Sequence, residues 1–321
     1  MKILSSADWH INLQKKKIPY DWQINRFKLM FKALDALQAK ESCDVHIISG
    51  DLFDEIPTTD ETTLVMSYLN SVTIPTIVVF GNHEATTKGK TFWSHFKREK
   101  AVNNELVHIS VENERINIAG QYFQTFPYGS VQTDNLPQAH GGDILVTHIR
   151  GEVPPHITPE YDFEKLRPWG LVLLGDLHFN HKYQDYPIYY PGSPINTTFD
   201  RTNKNKYGVD IIDFTSIDNY TTKFVDLKLP KLLRKTIKVG DAMEKDPIDH
   251  VIYELTGSID ELALVQKTDL LDKKLVIKST EGSTLNLKEK NIVEELEIYL
   301  DYLKVTNSEA VIKRFKDLGL K

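Results

Sequence analysis

The sequence predicts an α/β fold, and three observations support this class. Short apolar runs alternate with amphipathic helical patterns over the first two thirds of the 321 residues, which is typical of layered α/β proteins. Hydrophobic residues make up 40% of the chain, enough for a sizeable core at this length. Five of the apolar runs end in Asp, His or Asn, at the sheet edge where open α/β folds bind ligands.

Five strands are predicted where apolar residues run together: KILSSA (2–7), DVHIIS (44–49), PTIVVF (75–80), DILVTH (143–148) and LVLLG (171–175). A helix is predicted over 21–40, because its apolar residues Phe27, Met30, Phe31, Leu34 and Leu37 fall on one face. A second helix begins near Thr58 or Thr59, where a hydroxyl residue precedes an acidic first turn. A third is predicted over 89–100.

The pattern changes after about residue 205. YGVDIIDF, YTTKFVDLKL and RKTIKVG are predicted to be strands of a smaller α+β region over 206–285. The last segment, 286–321, contains two amphipathic helices, NIVEELEIYLDYL and NSEAVIKRFKDLGL, separated by a short polar turn. Each is too short to be stable without a packing partner.

Composition excludes several classes of protein. The chain has 45 acidic and 39 basic residues and a formal charge of -6, which excludes a globally basic nucleic-acid coat but not local basic patches. Its one cysteine, Cys43, cannot form an internal disulfide and is predicted to be a core residue. No apolar stretch approaches the roughly 18 residues of a membrane span, and the chain starts without a secretion signal. We therefore expect a cytoplasmic protein without a membrane partner.

The strand ends carry nine candidate functional residues: Asp8, His10, Asp51, Asp54, Asn82, His83, His148, Asp176 and His178. These are nitrogen and oxygen donors without a thiol, a set that suits Mn(II), Zn(II) or Fe(II). They are too many for one ion. Two ions bridged by one carboxylate would use them all, would clamp a phosphate for in-line attack, and would lower the pKa of a bridging water so that hydroxide exists near neutral pH.

The motifs D-x-H, G-D-x-x-D, G-N-H-E, a lone His and G-x-x-H, taken together over 8–178, resemble the five motifs of the calcineurin-like metallophosphoesterases. The segment Tyr190-Pro191-Gly192-Ser193-Pro194, followed by Phe199-Asp200, resembles the stretch after the last metal motif in SbcD-type nuclease subunits of the double-strand-break repair family. The resemblance implies a two-sheet α/β sandwich over 1–205 flanked by helices, a smaller capping domain over 206–285 and a helical tail over 286–321.

Residue by residue, the resemblance implies that Asp8, His10 and His178 hold one metal, that Asp51 bridges, and that Asn82 and His148 hold the second. His83 would contact the scissile phosphate and Asp54 would lie near the substrate, both as catalytic residues. Relatives usually have histidine at position 176. We interpret Asp176 as a ligand of the second metal that favours Mn(II) or Mg(II) over softer ions.

The resemblance also implies function and partners. It implies an exonuclease and endonuclease subunit of an SbcCD-like complex, acting on double-stranded DNA ends with two divalent ions, most often Mn(II), with Mg(II) as the alternative. It implies a homodimer built near the first helices and an SbcC-like ABC-class coiled-coil ATPase as partner, in the bacterial cytoplasm or, for a phage protein, in that of the host. The tail presents apolar faces suited to such docking: Ile292, Leu296, Tyr299, Leu300, Leu303, Val311, Ile312, Phe315 and Leu318.

Several alternatives stay open at this point. Lys15, Lys16 and Lys17, with Gln14 and Tyr20, could grip a DNA backbone or form an ordinary solvated face. Asp54 could be a helix or turn cap, the tail could pack on its own domain, and His181 could touch phosphate. The same metal core also serves phosphomonoesterases and cyclic-nucleotide phosphodiesterases. Finally, Asp176 could impair the site and leave a DNA-end-binding scaffold.

Overall fold

The structure is a computed structural model that describes residues 1–87, 90–93, 102–131, 136–151, 159–202, 204–276 and 290–317. The chain divides into two compact units. The first consists of Met1–Ile237, Asp241–Glu254 and Lys267–Lys273, and the second of Lys238–Gly240, Leu255–Gln266 and Lys274–Lys321. The predicted helix over 89–100 lies mostly outside the described residues.

The first unit contains a six-stranded sheet. Its strands are β1 (Lys2–Ser6), β2 (Val45–Ser49), β3 (Thr76–Val79), β6 (Val107–Ser110), β13 (Gly208–Ser216) and β14 (Asn219–Asp226). Their order across the sheet is β14-β13-β1-β2-β3-β6. Four strands of this sheet, β1, β2, β3 and β6, are parallel to one another. Strand β13 pairs antiparallel with β1, and β14 pairs antiparallel with β13. The carboxyl ends of the parallel strands therefore meet at one edge.

A second six-stranded sheet belongs to the same unit. Its strands are β7 (Glu114–Ile118), β8 (Gln121–Phe126), β9 (Ile144–His148), β10 (Val172–Gly175), β11 (His181–Lys182) and β12 (Ile188–Tyr190). Their order is β11-β12-β10-β9-β8-β7. The inner strands are parallel, and β7 and β11 close the edges antiparallel. All five strands predicted from apolar runs are present in the two sheets, as β1, β2, β3, β9 and β10.

The two sheets pack face to face, as the resemblance implies. Alternate residues of the first sheet, such as Ile3 and Ile47, join Val146 and Leu173 of the second in one buried cluster. The intervening residues, such as Leu4, point to the opposite face and pack under the helices. The two-residue period of a strand thus divides the core into two layers.

The helices that cover the first sheet begin and end close to their predicted positions. They are α1 (Tyr20–Glu41) and α2 (Thr59–Ser71). Helix α2 starts with a capping box in which Thr58 and Glu61 exchange hydrogen bonds with each other's backbone. Helix α1 buries Phe27, Met30 and Leu34 against the sheet.

One placement predicted from the sequence is wrong. YGVDIIDF and YTTKFVDLKL form β13 and β14, which pair with β1 in the first sheet and do not belong to a separate α+β region. The alternating pattern defines their strand character, but it carries no information about which sheet a strand joins. A three-stranded sheet follows, made of β15 (Leu232–Lys238), β16 (His250–Gly257) and β17 (Leu271–Val276) in the order β15-β16-β17.

The remaining elements are short: β4 (Ala85–Thr87), β5 (Lys90–Thr91), α3 (Tyr128–Val131), a 3-10 helix (Phe163–Trp169), α4 (Ile259–Leu264), α5 (Ile292–Tyr302) and α6 (Ser308–Asp317). The two tail helices lie within the segments predicted to be helical, and Leu318 of the predicted apolar face lies outside the described residues. Over the described part of the chain, no helix combines the length and apolar character needed to cross a membrane.

Candidate metal centre

Backbone hydrogen bonds tie together the loops that leave the strand ends. The amide of Asp8 donates to the carbonyl of Gly50 at 3.0 Å, and the amide of His10 donates to that of Asp51 at 2.9 Å. The amide of Asp176 crosses from the second sheet and donates to Asp8 Oδ1 at 3.0 Å. The loops that carry the predicted residues therefore converge on one place.

The backbone is strained at this place. Asp8, His10, Asp51 and Asp176 all have positive φ, of 54°, 46°, 52° and 106°. Such a conformation costs a non-glycine residue on the order of 1–3 kcal/mol and persists where the surrounding structure enforces it, typically at functional sites. The four residues share this strain because their loops meet at a common centre.

Two glycines permit the close approach of the loops. A Cβ at Gly81 would overlap the Asp51 carboxylate, and one at Gly175 would overlap the carbonyl of Ser49 and the ring of His148. Both glycines immediately precede predicted ligands, Asn82 and Asp176. The sequence pattern Gly-ligand thus reflects a steric requirement.

The first cluster of donors consists of Asp8, His10 and His178, whose ligand atoms lie within 4.8 Å of one another. His10 Nδ1 hydrogen-bonds Asp54 Oδ1 at 3.1 Å, and its Nε2 is buried without a hydrogen-bond partner among the described residues. His178 Nδ1 contacts Thr197 Oγ1 at 3.0 Å. Fixing Nδ1 of an imidazole leaves Nε2 free as a metal ligand, so an ion fits this cluster.

The second cluster consists of Asp8, Asp51 and His148, again within 4.8 Å. His148 Nδ1 donates to the carbonyl of Ser49 at 2.8 Å, and Nε2 lies 2.9 Å from Asn82 Oδ1. Asp51 Oδ2 lies 3.5 Å from His148 Nε2 and also 3.5 Å from His10 Nε2. One carboxylate oxygen is therefore equidistant from an imidazole of each cluster, which is the position of a bridging ligand.

The buried carboxylates of the site favour bound cations. Asp8 and Asp51 are buried, and no Lys or Arg among the described residues lies within 4 Å of either carboxylate. Burial raises the pKa of Asp8 well above its usual value, although the positive charge of His148 opposes this. Burial also disfavours ionised Asp51, but His148 and His10 outweigh it and hold its pKa far below the usual value.

The pKa values of His148 and His178, one from each donor cluster, shift in opposite directions. Burial disfavours the charged ring of His148, but Asp51 and Asp8 outweigh burial and raise its pKa to about 10. Burial and the positive charge of His10 lower the pKa of His178 to about 4. A divalent ion would replace the proton on His148 as the partner of the carboxylates, because metal ligation requires the neutral imidazole.

Asp54 and His83 lie beside the clusters, and neither is a helix cap. Asp54 Oδ1 is hydrogen-bonded to His10 Nδ1, and Asp54 Oδ2 accepts a hydrogen bond from Lys15 Nζ at 3.4 Å. Burial opposes ionisation of Asp54, but these two contacts hold its pKa well below the usual value. His83 is exposed, hydrogen-bonds the carbonyl of Asp54 through Nδ1, and presents Nε2 at 3.9 Å from Asp51 Oδ2. Its position suits contact with a substrate that approaches from solvent.

Asp176 lies at the edge of the second cluster. Its Oδ1 is 3.9 Å from His148 Nε2, and its Oδ2 is 3.4 Å from the Nε of Arg150. Burial raises the pKa of Asp176 above its usual value, although the positive charges of His148 and Arg150 oppose this shift. Sequence reasoning misses Arg150, whose only signal is its position two residues after His148.

The three predicted DNA-contacting lysines have different environments. Lys15 binds Asp54, Lys17 donates to the carbonyl of Leu271 at 2.7 Å, and Lys16 is exposed. His181 lies in β11 with its ring 4.6 Å from that of Tyr183, centroid to centroid.

Glu84 is the second functional residue to which sequence reasoning gives no role. Its side chain is fully buried and accepts the amides of Asp51 at 3.0 Å, Phe53 at 2.9 Å and Gly81 at 2.8 Å. Burial, followed by the charge of Asp51, raises the pKa of Glu84 to about 7. Its position in the G-N-H-E motif is the available signal. Glu84 joins the loop of Asp51 to the loop of Asn82 and His83.

Residues 1–214 match the model of the calcineurin-like phosphoesterase family. The chain belongs to this family. Calcineurin-like phosphoesterases use divalent metals, and the two donor clusters of this chain fit that chemistry. The family assignment confirms the resemblance read from the five motifs, and the two-sheet architecture confirms the predicted fold class.

Among known sequences, the chain is 34% identical over 305 residues to the probable exonuclease subunit 1 of Escherichia phage T5, covering 93% of this chain and 92% of the relative. It is 26% identical over 274 residues to the SbcD subunit of the nuclease SbcCD from Staphylococcus epidermidis, covering 71% and 70%. A solved archaeal phosphodiesterase aligns with 70% of this calcineurin-like phosphoesterase and 100% of its own chain at a TM-score of 0.39 and 12% identity.

Proposed function

We propose that this calcineurin-like phosphoesterase is the DNA nuclease subunit of an SbcCD-like recombination and repair complex. The single observation that carries the proposal is Asp51 Oδ2 at 3.5 Å from an imidazole nitrogen of each donor cluster, because a carboxylate in that position is what a two-ion site requires. The nuclease names of the phage T5 and staphylococcal relatives support DNA as the substrate class.

In this proposal, one ion is held by Asp8, His10, His178 and the bridging Asp51. The second is held by Asp51, Asn82, His148 and Asp176. When bound, the pair would neutralise charge on the phosphate and lower the pKa of a water, so that hydroxide is available as the nucleophile near neutral pH. The hard oxygen donors of the second set favour Mn(II), with Mg(II) as the alternative.

The protein's own side chains then orient the substrate. His83 is exposed beside both clusters, with Nδ1 fixed on the carbonyl of Asp54, so its Nε2 is free to hydrogen-bond the scissile phosphate or protonate the leaving oxygen. Asp54 acts through His10, whose ring it orients by the 3.1 Å hydrogen bond. Arg150, half exposed next to Asp176, adds a positive charge at the rim.

The tail helices support an ATPase partner of the SbcC type. In α5, Ile292 and Tyr299 are each 50% exposed, as is Leu303 just after it, and α6 buries none of its described residues. Exposed apolar faces of this kind suit helix docking on a partner. The proposal includes a homodimer near the first helices and action on double-stranded DNA ends in a bacterial cytoplasm.

The test is cleavage of linear duplex DNA by the purified chain with Mn(II), compared with His83→Ala. We expect cleavage that falls by roughly 10²–10⁴-fold in the variant, with no loss of bound metal. A panel with a phosphomonoester and a cyclic nucleotide separates the alternatives within the family. Hydrolysis of those small substrates without DNA cleavage would contradict the proposal.

A further inference from the structure

A large cavity in the first unit lies outside the metal centre. It measures about 770 Å³ and is formed where the start of α1 meets segments 245–251 and 267–270. This volume lies within the range of roughly 300–1,000 Å³ that is typical of small-molecule sites. The metal chemistry described above does not use it.

One wall of the cavity is the indole of Trp22. The chain has four tryptophans, and the other three, Trp9, Trp93 and Trp169, are at most 2% exposed, whereas Trp22 is only partly buried. The ring of His250 lies beside it, with centroids 5.3 Å apart and planes inclined by 47°. The cavity therefore offers an accessible aromatic surface of the kind on which a flat ring stacks.

The Trp22 ring is held in place before any ligand arrives. The guanidinium of Arg26 lies 5.6 Å from its centroid, and Arg26 is itself buried and bonded to the carbonyls of Pro230 and Asn196. A ring that is already fixed loses little entropy when a ligand stacks on it.

Two lysines of the lining, Lys245 and Lys267, are available to meet one anionic group of a ligand. Lys17, Lys245 and Lys267 line the cavity, and neither Lys245 nor Lys267 has a carboxylate within 4 Å over the described ranges. The carboxylate of Asp246 accepts the backbone amides of residues 248 and 249, and that of Asp249 accepts the amide of Lys231. With Asp269, three aspartates offset three lysines, so stacking rather than charge would supply most of the affinity.

The cavity shares one loop with the metal centre. Lys15 Nζ lies 3.4 Å from Asp54 Oδ2 at one end, and at the other end the carbonyl of Lys17 is hydrogen-bonded to His250 Nε2. The backbone from Lys15 to Ile18 spans at most about 10 Å. A DNA strand at the metal centre could therefore place a base from a nearby nucleotide in the cavity.

We propose that this cavity binds one unpaired nucleobase together with its phosphate. Resting on the proposed nuclease function, the inference adds that the enzyme engages strands whose bases are free of the duplex close to the cleavage point. The shared chemistry, a nucleobase with one phosphate, is also that of a free mononucleotide, so the test includes both.

The test uses the whole 321-residue chain, metal-free in EDTA, so that binding is measured without cleavage. Tryptophan fluorescence is titrated with a single-stranded oligonucleotide, with dAMP and with a blunt hairpin duplex, and the same titrations of Trp22→Phe give the contribution of Trp9, Trp93 and Trp169. We expect quenching by the single strand and by dAMP, less quenching by the blunt duplex, and a weak salt dependence with a slope of about −0.7, corresponding to one phosphate.

Variants make the test specific. By fluorescence anisotropy of a labelled single strand, Trp22→Ala should weaken binding about tenfold, whereas Trp22→Phe should weaken it less. Tyr122→Ala is the control, because Tyr122 is an exposed aromatic of β8 that does not line the cavity. The paired substitutions Lys245→Ala and Lys267→Ala leave the aromatic wall intact and should remove the salt dependence.

The inference is overturned if Trp22→Ala, shown to be folded by its thermal unfolding, binds single strands as the wild type does. It is also overturned if the blunt duplex quenches as strongly as the single strand. Mn(II)-dependent cleavage by the wild type with unchanged Trp22→Ala binding would refute the cavity and leave the nuclease proposal standing. Trp22-dependent binding without any cleavage would refute the nuclease proposal and leave the cavity standing as a nucleobase site.

Discussion

Replacing Glu84 with Gln should loosen both the fold and the metal centre. The Glu84 carboxylate accepts three buried amides, from Asp51, Phe53 and Gly81. The amide oxygen of Gln can still accept from the amides of Asp51 and Gly81, which both donate to Oε2 of Glu84. Its NH₂ group then faces the amide of Phe53, to which it cannot act as an acceptor. One buried N–H is left unpaired, at a cost of about 1–3 kcal/mol. Glu84→Ala leaves three unpaired and should cost at least about 3 kcal/mol.

The assay has two readouts on the same preparations. Denaturant unfolding of the metal-free protein measures the free energy of unfolding, and equilibrium dialysis counts bound Mn(II). Glu61→Gln is the matched control: Glu61 is also buried and accepts the backbone amides of Leu13 and Thr58, but neither amide belongs to a candidate ligand or to a residue next to one.

Both variants should lose stability, but only Glu84→Gln should also bind Mn(II) more weakly, because Glu84 positions the loops of Asp51 and Asn82. Wild-type unfolding and wild-type Mn(II) binding in Glu84→Gln would refute this account of the site. An equal loss of Mn(II) affinity in Glu61→Gln would mean that global loosening, not loop positioning, is responsible.

Three further predictions follow from the same geometry. Asp176→Ala should weaken the second Mn(II) equivalent roughly tenfold or more and leave the first unchanged; unaltered binding of both would show that Asp176 is not a ligand. Asp54→Ala should lower Mn(II) affinity roughly 10–100-fold by releasing the ring of His10, whereas Asp54→Asn, which keeps an acceptor oxygen, should lose less; equal losses would contradict the orienting role. His46 should make the fold acid-sensitive, because burial lowers its pKa to about 3. The unfolded chain therefore takes up the proton first, and stability should fall by about 1.4 kcal/mol per pH unit below about pH 6.5; a His46→Gln variant with the same pH slope between pH 6 and 5 would refute this.

The sandwich can be predicted because its information is local. Runs such as PTIVVF and LVLLG define buried strands, and the one-sided apolar pattern defines α1. The donor clusters can be predicted equally well from the sequence, because parallel strands bring their carboxyl ends together and each candidate ligand lies at or close to the end of its strand. Asp8 and Asp51, for example, are identified as candidates by their position at strand ends, and their ligand atoms lie within 4.8 Å of that of His148.

What escapes prediction depends on pairing over long distances. Strand β13 joins β1 from about two hundred residues away, and its alternating pattern fits either sheet. Arg150 contacts one side chain, that of Asp176, and Glu84 binds backbone amides. Neither kind of contact leaves a characteristic spacing in the sequence. The Trp22 cavity needs segments near residues 20, 250 and 270 together, a convergence that no motif encodes.

The most direct test of the two-ion centre bridged by Asp51 is electron paramagnetic resonance of the Mn(II)-loaded chain, with metal content measured on the same sample. The account predicts two Mn(II) per chain with a spin-coupled signal, and loss of the coupling in Asp51→Asn. A single bound ion, or two ions without coupling in the wild type, would contradict it.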